Sequence, residues 1–521
     1  MKCEIYSSME WIYPDQMQEN GTKNVNLYVA KNSSECFQIL TDYQAKETER
    51  ITYSFTGDQV GKLTLFQLLP AHVPENCAKE LYTTTNYEEV KDFVTKKAPF
   101  DVYEICRPIE NETLERGRVA LFARLDVAKT AKTGEYTETL HVEIGENRLD
   151  IQVKIKIYSL VIPSLESANL SQTNWLFCDN VAKHHNVETW SEAHLEILKE
   201  YLRNQLDLRN DYLMIPAGKP VCDEMGKVVD FDFTEAEIVG NLALEMGMKY
   251  ITGGFAIKWK VWNLPQLYLK WNELDVKTEE AQRQLHLYYK RCSECLKRNG
   301  WGEKYLQCIL DEVQEYSMDS YALVSRIVKA YLPDVKINDP VETFDAVDYV
   351  DIMVSKQVSY EAKLAEYRRE QEKGANIWIY TCAFPAGRAM KRIIDLPLAT
   401  TRLPIWLCYK YGLKGFLCWG YNVHTPMFEK NTCLGAGGNN KLQAGDGFIV
   451  YPGQDGRPWN SVRAHVQRMA MEDFELLYAL GKTDKAFVLS CIEELCRSFT
   501  DYETDSKLFY NVRKKILERL G

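Results

Sequence analysis

No stretch of this 521-residue chain approaches the roughly 20 consecutive apolar residues that a membrane-spanning helix requires, so no membrane partner is expected. The opening residues Met1 to Glu10 lack the apolar segment of about 7 to 15 residues that a secretory signal carries, and the expectation is a cytoplasmic protein. No G-x-G-x-x-G follows a strand-like run, and Gly435 to Gly438 lacks the Gly-Lys-Ser/Thr ending of a phosphate-binding loop. Dinucleotide and nucleoside triphosphate chemistry are thereby disfavoured, and no cofactor is implied. A serine nucleophile has no G-x-S-x-G elbow to sit on. Positive charge is also short: 63 Lys and Arg stand against 74 Asp and Glu, a net charge of -11 with no basic stripe, which repels phosphate backbones and argues against nucleic acid.

Cysteine is present, 15 in all, but not in a pattern that binds metal or builds a disulfide framework. The number is odd, and Cys292-Ser-Glu-Cys295 is the one C-x-x-C, with no second pair or nearby His to complete a zinc set. Cys178, Cys308, Cys382 and Cys418 fall in apolar runs and read as buried thiols on strands. His184-His185 reads as a surface loop pair.

What is there is a folded chain of two domains. Hydrophobic residues make up 45% and charged residues 26%, and the length exceeds what one core of about 250 to 300 residues accommodates. Up to residue 163 the period is two: Ile151, Val153, Ile155 and Ile157 alternate with Gln152, Lys154, Lys156 and Tyr158, one face for a core and one for water. Asn26 to Ala30, Lys62 to Phe66 and Arg118 to Asp126 repeat that pattern, which predicts an antiparallel β-sandwich over 1–163.

Beyond Pro163 short apolar runs alternate with helical patterns. Ser191 is placed to cap a helix whose stripe is Leu195, Leu198, Leu202 and Leu206. Eight runs qualify as strands: 170–178, 212–216, 248–255, 305–310, 335–338, 349–354, 377–382 and 415–419. The predicted fold class is therefore multi-domain, β plus α/β, with the sandwich followed by a (β/α)8 TIM barrel over 164–485. An amphipathic helix bearing Val462, Val466, Met469, Leu476, Leu477 and Leu480 closes the barrel domain, and 486–521 forms a helical extension packed on it.

Active residues of such barrels project from the C-terminal ends of the strands. There the run Tyr305 to Leu310 ends abruptly in Asp311-Glu312, two carboxylates at the mouth. Neighbouring side chains on a strand point to opposite faces, so both reach one pocket only if the chain leaves strand geometry at this point. Asp223-Glu224, in a polar loop, is the ordinary solvated kind of acidic pair.

The segments Gly415-Phe-Leu-Cys-Trp-Gly-Tyr-Asn422, Gly445-Asp-Gly-Phe-Ile-Val-Tyr-Pro-Gly453, Ser461-Val-Arg and Met471-Glu-Asp-Phe-Glu-Leu-Leu-Tyr478 resemble the catalytic domain of glycoside hydrolase family 123, and the strands from Gly134 to Pro163 resemble the end of that family's sandwich. The resemblance implies a β-N-acetylgalactosaminidase acting on an oligosaccharide by retaining, substrate-assisted hydrolysis through an oxazolinium ion. It assigns Asp311 to the acetamido N–H and Glu312 to general acid and base. Val313 stands where the family often has Pro, and His424 where Trp is frequent; both bear on substrate fit.

Further candidates surround the pair. Trp419 and Asn422 close the eighth strand, to stack on a sugar and bind a hydroxyl, although Trp419 serves equally as a plug for the barrel. Tyr380 is a candidate for the acetamido oxygen or for core packing, and Trp175 is a similar case on the first strand. Asp446, Tyr451 and His424 are candidates for the rim. Other readings are a β-glycosidase of different specificity, such as a β-N-acetylglucosaminidase, and a non-catalytic glycan-binding protein. The aglycone, the linkage and the oligomeric state are not written in the sequence.

Overall fold

The computed structural model describes residues 1–16, 24–47, 49–80, 82–109, 113–262 and 264–521. They form two compact units. The first gathers Met1–Asn169, Cys382–Gly412 and Gly420–Gly521, and the second Leu170–Thr381 with Leu413–Trp419.

In the first unit the period-two segments become two five-stranded sheets. One runs in the order Cys3–Ser7, Ser34–Ala45, Gly117–Val127, Gly61–Val73, Phe100–Pro108, and the other Asn24–Lys31, Asn147–Val161, Gly134–Ile144, Glu49–Phe55, Thr113–Leu114. Pairing is antiparallel except between Asn147–Val161 and Asn24–Lys31. Val29, Ile39, Leu121, Leu140, Ile151 and Val153 are wholly buried between the sheets, so the alternation read from the sequence is the sandwich core. The same unit holds three long helical segments: Ala399–Tyr411, Val462–Leu495 and Ser506–Arg519. The second is broken at Asp484, where the backbone leaves helical geometry. The third buries Phe509, Val512, Ile516 and Leu517.

The second unit is an eight-stranded parallel barrel with helices between its strands. In chain order the strands are β1 (Ser171–Asn174), β2 (Tyr212–Met214), β3 (Tyr250–Gly253), β4 (Tyr305–Gln307), β5 (Lys336–Val341), β6 (Ile352–Lys356), β7 (Asn376–Thr381) and β8 (Gly415–Cys418). Every adjacent pair from β2 round to β8 and on to β1 is hydrogen-bonded in parallel, and the Asp211 N–H donates to the Gln172 carbonyl at 3.0 Å between β1 and β2. Each predicted run thus carries a strand. The interior is filled by Trp378, fully buried and edge-on to Tyr212 at 4.7 Å. Gly415 is required beside it, because a Cβ there would lie 2.2 Å from the Trp378 indole.

Local readings needed correction where polar side chains found backbone partners. Ser191 caps Glu192–Asp207, accepting from the His194 N–H, but the buried stripe is His194, Leu198, Tyr201, Leu202 and Gln205, and Leu195 and Leu206 are only partly buried. His194 and Gln205 reach the carbonyls of Cys178 and Asn174, which lets them replace leucines in the core-facing row. Cys178 starts a helix, Cys178–His184, instead of lying on a strand, and Cys382 follows β7 and is half-buried. His184 ends that helix and His185 Nε2 lies 2.9 Å from the Tyr201 hydroxyl, so the pair is not a surface loop. None of the fifteen cysteines forms a disulfide. Among the described residues no helix is long and apolar enough to cross a membrane, and no cluster suited to a metal ion occurs.

Candidate active site

β4 is cut short at Gln307, and the reason lies on its neighbour. Asp339 of β5 turns its carboxylate toward β4, where Oδ1 accepts from the Ile309 N–H at 2.8 Å and, more weakly, from Leu310 at 3.4 Å, while Oδ2 accepts from the Tyr321 hydroxyl at 2.6 Å. The amides that would have extended the ladder are taken up by a side chain. Gln307 pairs with Ile337, and pairing resumes with Val313 opposite Val341: six residue steps on one side against four on the other. Two extra residues must bulge outward. At Glu312 the backbone adopts φ 55°, the left-handed region that costs a residue with a Cβ roughly 1–2 kcal/mol. This is the departure from strand geometry that adjacent carboxylates demand.

The bend is made, but the expected sharing of one pocket is not: the two side chains diverge from that turn. Asp311 lines a cavity of about 720 Å³ at the C-terminal end of the barrel, within the roughly 300–1,000 Å³ usual for small-ligand sites. Six tryptophans share its walls: Trp175, Trp190, Trp259, Trp262, Trp271 and Trp419. Trp259 donates its indole N–H to the Asp311 carbonyl at 2.9 Å and stacks on Trp262 with centroids 5.4 Å apart. Glu312 turns instead toward β6 and β7. Its Oε1 accepts from the Tyr380 hydroxyl at 2.5 Å and lies 3.2 Å from the Lys356 ammonium, which also pairs with Glu342. One fifth of the Glu312 side chain remains open to solvent, so the carboxyl is accessible despite its partners.

Charge at this end of the barrel is unbalanced. Burial, then the charges of Glu312 and Asp339, push the Asp311 carboxyl up to about 8, against the pull of Lys356. Glu312 is also raised, chiefly by burial and further by Glu342, while Lys356 and Tyr380 oppose the rise. Asp339 is pushed up to about 7 by burial, partly offset by the hydrogen bonds it accepts. Four carboxyls around one ammonium cannot all be ionised cheaply, and the cluster retains protons near neutral pH.

A model of the glycoside hydrolase 123 catalytic domain matches residues 175–480, more than half of the chain. The chain belongs to glycoside hydrolase family 123. A solved structure of a family 123 glycoside hydrolase from Clostridium perfringens, described in connection with glycolipid glycan hydrolysis, superposes over 100% of this chain and 97% of its own with a TM-score of 0.77 at 13% identity, a likeness of fold. A β-D-glucuronidase from Dictyoglomus thermophilum (TM-score 0.36, 10% identity, 85% and 66% of the two chains) and an exo-β-1,4-mannosidase from Opitutaceae bacterium strain TAV5 (0.40, 11%, 61% and 63%) are too distant to carry an argument. No curated protein sequence matches.

On this family 123 barrel the structure brings Asp311, Trp175 and Trp419 to one cavity and sets Tyr380 against Glu312. Trp175 packs edge-on to Phe255 at 5.5 Å, and Trp419 is partly exposed. Asn422, His424, Asp446 and Tyr451 belong to the first unit, where Asn422, Asp446 and Tyr451 are buried. His424 stacks on Phe448 at 4.5 Å and its Nε2 lies 2.7 Å from the Val450 carbonyl. Sequence reading missed Asp339 and Lys356, although Asp339 is the one acid in its strand and Lys356 the lone charge of its own. It also missed Trp190 and the three tryptophans between 259 and 271, whose density in one loop was a visible signal.

Proposed function

We propose that this family 123 hydrolase is a retaining exo-glycosidase that releases terminal β-linked N-acetylgalactosamine from oligosaccharides by substrate-assisted catalysis. The observation that carries the reading is the two-residue excursion after β4, with Glu312 in left-handed geometry, which presents adjacent carboxyls at the barrel mouth, one of them in a tryptophan-walled cavity.

In this scheme the sugar's acetamido oxygen attacks the anomeric carbon as the glycosidic C–O bond breaks, and Glu312 gives its proton to the departing oxygen. Asp311 accepts the acetamido N–H and offsets the positive charge of the oxazolinium ion. Glu312 then takes a proton from the water that attacks the anomeric carbon from the face the leaving group vacated, so the configuration is retained and the acetamido group is restored. Trp175 and Trp419 offer apolar faces for the pyranose ring.

Two raised carboxyls keep a proton available for the acid step. Burial raises both carboxyls, and Lys356 and Tyr380 oppose the rise at Glu312. An acetamido N–H donated to Asp311 favours the Asp311 anion, and the proton then belongs on Glu312, where the acid is needed. Tyr380, released from Glu312, becomes available to the acetamido oxygen.

The test is a panel of aryl β-glycosides with anomer-resolved NMR of the products. Turnover confined to 2-acetamido sugars, fastest for the galacto epimer and with retention, is expected. Turnover of sugars lacking the acetamido group, or inversion, defeats the mechanism. A preference for the gluco epimer changes the substrate but not the chemistry, and glycan binding without turnover overturns the enzymatic reading. The Clostridium relative's link to glycolipid glycans makes a glycolipid head-group oligosaccharide a natural second substrate to assay.

A further inference from the structure

The loop that follows β3 folds back as a short hairpin in which Ile257 pairs with Leu269 and Lys258 with Tyr268, and the Lys270 N–H donates to the Ala256 carbonyl at 3.0 Å. Residues opposite one another, and those two positions along, share a face of an antiparallel pair. Lys258, Lys260 and Lys270 therefore crowd round Tyr268 on one face, and the Lys260 ammonium lies 5.8 Å from the Tyr268 ring centroid. One carboxylate stands beside three ammonium groups and reaches two of them. Glu273, itself held at φ 56°, lies 2.9 Å from Lys258 and 3.2 Å from Lys260. Among the described residues no carboxylate lies within ion-pair distance of Lys270.

Lys258 and Lys270 both line the cavity that holds Asp311, flanked there by Trp259 and Trp271. The other charged walls are Lys219, paired with Glu235, and Asp179 and Asp311. On a chain of net charge -11, the hairpin carries three lysines against Glu273 and sets two of them, Lys258 and Lys270, at the cavity wall. Mutual repulsion at such a spot is a standing cost unless an anion joins it. Although Lys270 is exposed to solvent, desolvation by its neighbours and the charge of Lys258 set its ammonium below the ordinary lysine range, in keeping with a cation short of counter-charge.

We infer that Lys270, seconded by Lys258, binds an acidic substituent of the substrate glycan, a sulfate ester or a carboxylate, and makes this enzyme selective for acidic over neutral oligosaccharides. The inference rests on reading the cavity as a glycan site. A cavity that offers both ammonium groups and indole rings fits such a group well: the rings take the apolar faces of a sugar, and the charge takes the acid.

The experiment compares, on the full chain, a neutral disaccharide of N-acetylgalactosamine β-linked to galactose with its sulfated forms and with a counterpart bearing a sialic acid carboxylate on the galactose. At least one acidic probe is expected to exceed the neutral one in kcat/KM by roughly tenfold, the scale of one charge-assisted hydrogen bond. That ratio should fall to near one in Lys270→Met, persist in Lys270→Arg, and shrink at about 0.5 M salt. Which probes are favoured separates sulfate from carboxylate. Equal kcat/KM for neutral and acidic probes in the parent protein, or an undiminished ratio in Lys270→Met with an unchanged melting temperature, overturns the inference. Should none of the disaccharides be cleaved, the substrate reading fails by itself, and dissociation constants from calorimetry for the same probes and variants then supply the ratio that upholds or overturns the role of Lys270.

Discussion

Three buried carboxylates in two regions of the molecule meet the same desolvation penalty with different outcomes. In the first unit Asp473 is wholly buried, yet two guanidiniums hold it: Arg402 Nε at 2.7 Å and Arg513 Nε at 2.7 Å, with the Trp406 indole N–H at 3.2 Å. Burial pushes its pKa up, and the two arginines more than offset that, so it ends below the ordinary value. Glu104, equally buried, has a single guanidinium, from Arg463 at 2.7 Å, and stays raised. At the barrel mouth one ammonium, Lys356, faces Glu312 and Glu342, and Asp311 climbs to about 8. Depth alone does not set protonation. The number of cations supplied per carboxylate does, and this chain saturates the acid that holds its helices while starving the carboxyl pair that follows β4.

The widest separation between these regions is in activity. Glu312→Gln and Asp311→Asn should each lower kcat/KM on an unactivated acetamido glycoside by roughly 10²- to 10⁴-fold, measured by initial rates, and wild-type turnover in both would remove the assignment. Stability should invert the order. Asp473→Ala leaves the buried Arg402 without its acid and Arg513 with Glu35 alone, and should cost about 3–5 kcal/mol in urea denaturation, whereas Asp311→Asn removes a group whose anion is penalised and should cost nothing measurable. A large loss from Asp311→Asn would show that the mouth is a structural ion cluster like the other.

Linkage sharpens the contrast. The folded protein binds the Asp311 proton more tightly than the unfolded chain does, so its stabilising contribution is complete below the ordinary carboxylate value of 3.8 and is lost as pH rises through about 8. Stability of the parent relative to Asp311→Asn should therefore decline across that window, and a flat difference would contradict it. The smallest effect belongs to the rim: Trp262, half exposed and stacked on Trp259, should contribute about 0.5–1.5 kcal/mol, read as a severalfold rise in KM for Trp262→Ala with kcat little changed.

Much of this was legible residue by residue. The alternation Ile151 to Ile157 became a sandwich strand, and all eight barrel runs carry strands, because burial of one face or both writes itself directly into local pattern. The acidic pair was found by position. Its surroundings were not. Lys356 and Asp339 follow Asp311 by 45 and 28 residues in the chain, and nothing local says that parallel strands will set them beside it. The helix behind Ser191 makes the same point in miniature, since leucine spacing located the helix but the backbone carbonyls of Cys178 and Asn174 decided that His194 and Gln205 would face inward.

Sequence alone established the two architectures, the eight barrel runs and the need for a bend at Asp311-Glu312, since each depends on periodicity or on neighbours along the chain. Tertiary structure alone decided how the bend is made, by the Asp339 carboxylate capturing two amides of the adjacent strand. It also decided that the carboxyls part toward different walls and that one ammonium must serve both Glu312 and Glu342. Such outcomes are set by through-space electrostatics and by hydrogen bonds between segments far apart in the chain, and those come into being only when the barrel closes.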